Sequence, residues 1–453
     1  MKNFFIEKSK SIKTALEKID LNGQGIICIL NKSNKVLGIA TDGDIRRKII
    51  NGISIDEPIE QCLNNNFTYV YNDEPRESLL KLLDNGIRAI PILDKDHNLL
   101  DVASRNNLPI DKNKINFARA KAPVRISFGG GGSDLTHFFS KYNGAVINAT
   151  ISIYSHAVLR KKNDGSIRIK SWDLNEEINE KNLTIALKKK SKLGLIQSLI
   201  NLIKPEYGFD LEIYSDFPSN SGLGGSSAIS AAVLGCFNEF REDPWDTYEL
   251  SELAFQAERL NFNISGGWQD QYACTFGGFN FIEFTKETNI IHPLRIQKKT
   301  KLELEENIIL CNTGISHDSG DIHENQKENM RNEDIENLVK ENVNHVYKIK
   351  NQLLKNKLND FGESLDISWQ SKRQFSSKIS SKKIDEIYNG AKKNGAIGGK
   401  LLGAGGGGFF IFYTNSQKRH ELIKYLKEKN LDVFRFSFDE YGLQTWKSRE
   451  EIN

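Results

Sequence analysis

Three glycine-rich segments carry the residues of this 453-residue chain best suited to chemistry: Pro123 to Asp134, Pro218 to Ala228 and Lys400 to Phe409. A glycine run lets backbone N–H groups crowd around phosphate oxygens where a Cβ would obstruct them. A helix N-terminus directly behind the run adds partial positive charge. The second segment has that layout. Apolar, β-rich Phe209 to Tyr214 precedes it, and Ser226 to Phe237 follows with Ile229, Val233 and Phe237 at helical spacing. The loop closes without Gly-Lys-Ser/Thr, so it is not a Walker A loop. The third segment runs into strand-like Phe409 to Tyr413, whereas a dinucleotide loop leaves a strand and opens a helix. Taken alone, each segment also reads as a tight turn.

In order and wording the three segments resemble the motifs of the GHMP small-molecule kinases. Ala122 to Leu135, Gly267 to Ala273, Phe276 to Asn280 and Lys400 to Gly408 are most similar to the bacterial D-glycero-D-manno-heptose 7-phosphate kinases. The resemblance covers roughly residues 113–453. It implies an α+β, two-lobed kinase: a ribosomal protein S5 domain 2-like lobe over 113–300 and a ferredoxin-like lobe over 301–453. It also implies ATP and Mg²⁺ as cofactors and a sugar or sugar phosphate as acceptor, phosphorylated on its anomeric hydroxyl during heptose and surface-polysaccharide synthesis. The open alternatives are a fucose- or galactose-like acceptor, and a nucleotide-sensing protein without turnover.

Phosphoryl transfer needs a phosphate cradle, metal ligands, a base for the acceptor hydroxyl and a cation for developing charge. The resemblance assigns Pro218, Gly222, Leu223, Gly224, Gly225, Ser226 and Ser227 to ATP, with Ser226 and Glu258 as Mg²⁺ ligands. Asp270 matches the catalytic aspartate of the galactokinase-like branch, and Arg125 its catalytic cation. Gly131, Gly132, Ser133, Asp134, Gly267, His317, Gly405 and Gly406 fall at substrate positions. The plainer readings are a solvated helix glutamate for Glu258, an N-cap for Asp270 and a surface arginine for Arg125.

Some positions depart from the family pattern. Gly225 stands where a serine is usual, and Ser133 replaces a threonine. His317 follows Thr313 to Ser316 where many heptose-phosphate kinases carry an arginine able to grip a phosphate bidentately. His317, Asp318, Asp321 and His323 fit no common zinc spacing.

These residues need elements to hold them. Helical patterns run over Ile335–Leu358, Ile384–Lys393 and His420–Lys429; Asn307–Cys311, Phe409–Tyr413 and Val433–Phe438 read as strands. Such mixed order predicts α+β rather than a doubly wound sheet. Ahead of the kinase-like region, residues 1–112 contain an internal repeat, Leu16–Arg46 and Glu77–Leu108, joined to the rest by polar Asp111–Asn116. The repeat resembles a tandem CBS pair. That likeness implies an adenine nucleotide held by Thr41 and Asp44, a degenerate second site at Ser104 and Asn107, and homo-oligomerisation through the pair; a ligand-free dimerisation block is the alternative.

The 62 Lys and Arg against 59 Asp and Glu give +3, too near neutral to argue for nucleic acid. Five cysteines without Cys-x-x-Cys spacing argue against a disulfide framework. The N-terminus lacks a signal-peptide apolar core and no stretch suits a membrane span, so no membrane partner and a cytoplasmic location are expected.

Overall fold

The computed structural model describes residues 2–108, 114–218, 221–315, 322, 325, 328–329 and 332–451. The chain divides into two compact units, Met1–Lys114 and Ile115–Asn453.

In the first unit the repeated sequence folds into repeated structure. Phe5–Glu7 runs parallel to Ile26–Leu30, which pairs antiparallel with Val36–Thr41. Val70–Tyr71, Ala89–Leu93 and Leu99–Ser104 form a second sheet of the same plan. The central strands Ile26–Leu30 and Ala89–Leu93 are buried along their whole length, as continuous apolar runs must be. The registers match as well: Ile26 faces Thr41 and Ala89 faces Ser104, and each ladder shifts just before its turn, at Ile29/Leu30 and Ile92/Leu93. The copies diverge afterwards. Thr41 opens the helix Asp42–Ile50, whereas Ser104 and Asn107 close a tight turn on each other through backbone bonds of 2.9 and 3.1 Å.

The second unit holds an eight-stranded and a four-stranded sheet. Two long strands, Lys114–Gly129 and Gly144–Lys162, pair antiparallel and carry the first glycine segment at their connection. The helix Gly225–Asn238 is buried on most of its surface, Ser227 to Phe237 almost without interruption, because Ala, Val, Leu and Cys line every side of it. The smaller sheet is antiparallel, Ala396–Leu401, Phe409–Thr414, Ile308–Asn312 and Asp432–Phe434 in spatial order. Helices Glu333–Leu354, Leu358–Lys372, Lys382–Lys393 and Arg419–Glu428 accompany it. The third glycine segment is the connection between the first two of these strands.

Three features differ from the sequence expectation. The helix expected over Ile335–Leu358 ends at Leu354, and a second begins at Leu358; Asn356 between them sits at φ 55°, in the left-handed region that breaks a helix. The strand expected over Val433–Phe438 stops at Phe434, and Phe438 bridges singly to Ile151. Residues 301–453 do not all stay with the smaller sheet: Gln444–Glu451 returns to pair with Lys114–Gly129. No helix among the described residues is long and apolar enough to cross a membrane.

Candidate active site

Arg125 lies inside a sheet strand and is 3% exposed, so its charge needs partners close by. It has them. Its Nε donates to Asp270 Oδ1 at 2.8 Å and its Nη2 lies 2.7 Å from the same oxygen. Its Nη1 donates to the Gly222 carbonyl at 2.8 Å, and its backbone N–H to the Leu223 carbonyl at 3.1 Å. One side chain thereby ties the base candidate to the second glycine loop, and the surface-arginine reading of Arg125 is overturned. Asp270 sits in the first turn of Gln269–Phe276, one place past the helix start rather than at its cap. Its Oδ2 accepts no hydrogen bond among the described residues. Gly224, at φ 79°, passes near enough that a Cβ there would lie 3.3 Å from Oδ2, a tight contact; the left-handed backbone is what favours glycine here.

Gly224 is also the N-cap of Gly225–Asn238, and no side chain caps that helix. Its first N–H groups therefore lack intrahelical partners and sit at the positive end of the dipole. Gly222, Gly224, Gly225 and Ser226 line a cavity of about 680 Å³ shared with Arg125, Asp134 and Asp270. Leu193, Leu195, Ile196, Ile213, Phe217 and Ile229 give it an apolar wall, suited to a flat base.

Glu258 is 0% exposed, which overturns its solvated-helix reading. It lies in a π-helical turn, Gln256–Asn261, that continues the helix Thr247–Phe255; such turns re-aim a side chain that a regular helix would direct elsewhere. Ser226 and Ser227 donate to its Oε2 at 2.9 and 3.2 Å, while Oε1 has no partner among the described residues. Burial pushes its carboxyl above the usual range, with Arg259 and the two serines opposing. A buried carboxylate with an orphaned oxygen beside a hydroxyl fits a hard divalent cation.

Asp134 is 4% exposed and accepts from the Gly132 N–H at 3.1 Å and the Gln269 N–H at 3.4 Å. Burial raises its pKa, and the Asp270 charge adds to this. Gly267 is obligatory here, since a Cβ would fall 1.9 Å from Asp134 Oδ2. The third loop closes against the second: a Cβ on Gly403, at φ 65°, would meet Gly222 Cα at 2.6 Å. Gly131, Gly132, Gly267 and Gly405 all line the cavity.

Other expected contacts are not made. Ser133 is fully buried and its hydroxyl is engaged with the Gly130 and Ala145 carbonyls at 2.8 and 3.0 Å, so it braces the first loop. Leu223 is buried with its N–H on Ser221 Oγ, and Gly406 gives its N–H to the Ile379 carbonyl. Ser227 is behind the cavity wall on Glu258, and Pro218 is exposed and outside the lining. His317, Asp318, Asp321 and His323 lie outside the described residues. Sequence reasoning missed Lys372, which lines the cavity from the end of Leu358–Lys372. The i, i+4 run Phe361, Leu365, Trp369 was the available signal for that helix.

In the first unit, Thr41 and Asp44 form a capping box: Thr41 Oγ1 accepts from the Asp44 N–H at 3.2 Å and Asp44 Oδ2 from the Thr41 N–H at 3.0 Å. Arg47 lies 2.6 Å from the other oxygen. Those bonds hold the Asp44 carboxyl below the usual range against partial burial.

Known proteins share this architecture. The model of the GHMP kinases N terminal domain matches residues 193–278, and that of the GHMP kinases C terminal domain matches 349–431. A D-glycero-alpha-D-manno-heptose 7-phosphate kinase of Campylobacter jejuni is 37% identical over 335 residues, covering 73% of this chain and 98% of its own. The crystal structure of a D-glycero-D-manno-heptose 1-phosphate kinase from Bacteroides thetaiotaomicron superposes with a TM-score of 0.61 at 28% identity, covering 73% of this chain and 98% of the other. Methanococcus jannaschii mevalonate kinase shares the fold at TM-score 0.57 and 20% identity, over 71% of this chain and 98% of its own. With its paired Asp270 and Arg125, its uncapped helix behind a glycine loop and these relatives, the chain belongs to the GHMP kinase family.

Proposed function

We propose that Ile115–Asn453 transfers the γ-phosphoryl group of ATP to the anomeric hydroxyl of D-glycero-D-manno-heptose 7-phosphate. The observation that carries this reading is the Asp270 carboxylate, fixed by Arg125 on Oδ1 at 2.7–2.8 Å and open on Oδ2 beside the N-terminus of Gly225–Asn238. The uncapped N–H groups hold the nucleotide phosphates, and the apolar wall takes the base. Asp134 orients sugar hydroxyls, and Asp270 Oδ2 accepts the acceptor O–H proton. The acceptor oxygen bonds to the γ-phosphorus as the bond to the bridging oxygen breaks, and ADP leaves. Ser226 and Glu258 would hold Mg²⁺, which neutralises phosphate charge when bound. Arg125 keeps the base oriented and stabilises charge on the transferring group.

The two heptose kinases among the relatives are named for acceptors phosphorylated at different carbons. A coupled ADP-release assay separates them. Turnover on the 7-phosphate supports the anomeric hydroxyl, and turnover on the 1-phosphate alone moves transfer to another hydroxyl. Turnover only on free galactose or fucose refutes a heptose phosphate.

For the first unit we infer a CBS-like regulatory role in which an adenine nucleotide engages Thr41 and Asp44. A groove lined by Asp44, Arg47, Lys48, Asn51 and Cys62 supports it, and binding there displaces Arg47 from Asp44. Coupling of ordinary size changes kinase affinities about 5–150-fold. Kinetics of the intact chain with AMP, ADP and ATP analogues test it, and Asp44→Ala abolishes the effect.

A further inference from the structure

Three basic side chains and two carboxylates are buried close together at the cleft. Arg125, Lys372 and Lys400 are 3%, 8% and 3% exposed; Arg125 pairs with Asp270, and the charge of Asp134 reaches both lysines. The Arg125–Asp270 pair is neutral in itself, which leaves two buried lysine amines beside one further carboxylate. These groups are near enough for their charges to bear on one another: Asp134 acts on both lysines, and each lysine feels Arg125.

The two lysines are incompletely satisfied. Lys372 Nζ donates to the carbonyls of Leu401, at 3.1 Å, and Gly403. An ammonium has three N–H donors, so one remains, on a side chain that lines the cavity. Lys400 points from the strand Ala396–Leu401, and its ammonium makes no hydrogen bond or ion pair among the described residues. Burial draws the Lys372 pKa down to about 7, with Arg125 pushing the same way, and draws that of Lys400 well below the usual lysine range. A buried cation without an anion is costly, and an arriving anion relieves the cost. The nucleotide phosphates have their own place on the uncapped helix with Ser226 and Glu258.

We propose that Lys372 and Lys400, with the Gly403–Gly405 loop, form an anion subsite that takes the phosphate group carried by the acceptor itself. The inference rests on the acceptor reading above and adds the residues that enforce it. A free sugar offers these amines no counter-charge, whereas a sugar phosphate favours their protonated form and completes them, so these lysines select a phosphorylated acceptor.

The test uses the intact chain and Lys400→Met, a substitution that leaves no hydrogen-bond partner orphaned. We expect KM for heptose 7-phosphate to rise about 10- to 100-fold, with KM for ATP and turnover on the unphosphorylated heptose unchanged. Lys400→Arg should recover part of the loss. Inorganic phosphate, added with ADP and magnesium to fill the nucleotide side, should raise the thermal midpoint of the wild type and not of Lys400→Met. Without ligand Lys400→Met should be the more stable protein, which a merely structural lysine would not allow. An unchanged preference for the sugar phosphate, or an equal loss on sugar and sugar phosphate, overturns the subsite. If the wild type phosphorylates no heptose at all, the acceptor reading fails, and the phosphate-dependent midpoint still decides the subsite: lost in Lys400→Met, it stands; absent from the wild type, it falls.

Discussion

Asp270 and Glu258 are carboxylates at the same cavity, and the chain treats them in opposite ways. Asp270 is matched by a guanidinium with two donors on one oxygen, and its other oxygen is open toward the cavity. Glu258 is fully buried, receives two serine hydroxyls on one oxygen and leaves the other unpartnered, with Arg259 no nearer than 3.8 Å. A carboxylate oriented by a fixed cation is ready to take a proton. One buried without a full counter-charge is ready for a cation to arrive. The contrast matches the two roles proposed for them, proton acceptance at Asp270 and metal binding at Glu258.

The largest way to break the contrast is Asp270→Asn, which keeps the shape and removes the proton acceptor. Turnover should fall about 10²–10⁴-fold with little change in substrate KM. Steady-state kinetics on a folded variant check it, and near-wild-type turnover removes Asp270 from the role of base.

Glu258→Gln should act differently. The magnesium concentration for half-maximal rate should rise about 10- to 100-fold, and the ligand-free variant should melt higher than the wild type. The sign follows from the raised carboxyl: the folded chain holds this proton more tightly than the unfolded chain. Its penalty is therefore present at neutral pH and is relieved as pH falls through the raised value toward the ordinary carboxylate range. An unchanged magnesium titration, or a lower melting point, contradicts the account.

A smaller effect sharpens the acceptor side. Lys372, held at about 7 by burial, is charged below that pH and neutral above it. Binding of an anion favours the charged form, so KM for heptose 7-phosphate should rise as pH increases from 7, by at most about tenfold per unit. Over that range the sugar phosphate is already nearly fully ionised, its second pKa being about 6. A flat profile removes Lys372 from the binding step. Smallest is the capping box of the first unit: Asp44→Ala should lower its stability by about 1 kcal/mol, read by thermal unfolding.

Much of the site was legible because backbone and charge constraints are written in residue type. Gly224 takes a left-handed backbone beside Asp270 and Gly267 has no room for a Cβ against Asp134, so their glycines mark the site in any reading. Arg125 and Asp270 are 145 positions apart in sequence, and their pairing was reachable only through the family resemblance. The repeat in the first unit was visible since two apolar runs recur with the same turn chemistry. Ser133, Leu223 and Gly406 turn their polar groups to partners within the protein, which no motif foretells, because a motif gives residue identity and not the direction of a hydroxyl or an N–H. Lys372 was invisible for a related reason: a lysine ending a helix reads as solvated, and only tertiary packing buries it. The break at Asn356 likewise depends on a single residue accepting a left-handed backbone.

The most direct test of the central claim is ADP release from ATP by the intact chain with heptose 7-phosphate, run beside Asp270→Asn and followed by identification of the product. The account predicts a 1,7-bisphosphate from the wild type and a loss of about 10²–10⁴-fold in the variant. Phosphate found on another carbon, or equal turnover by the two proteins, would contradict it.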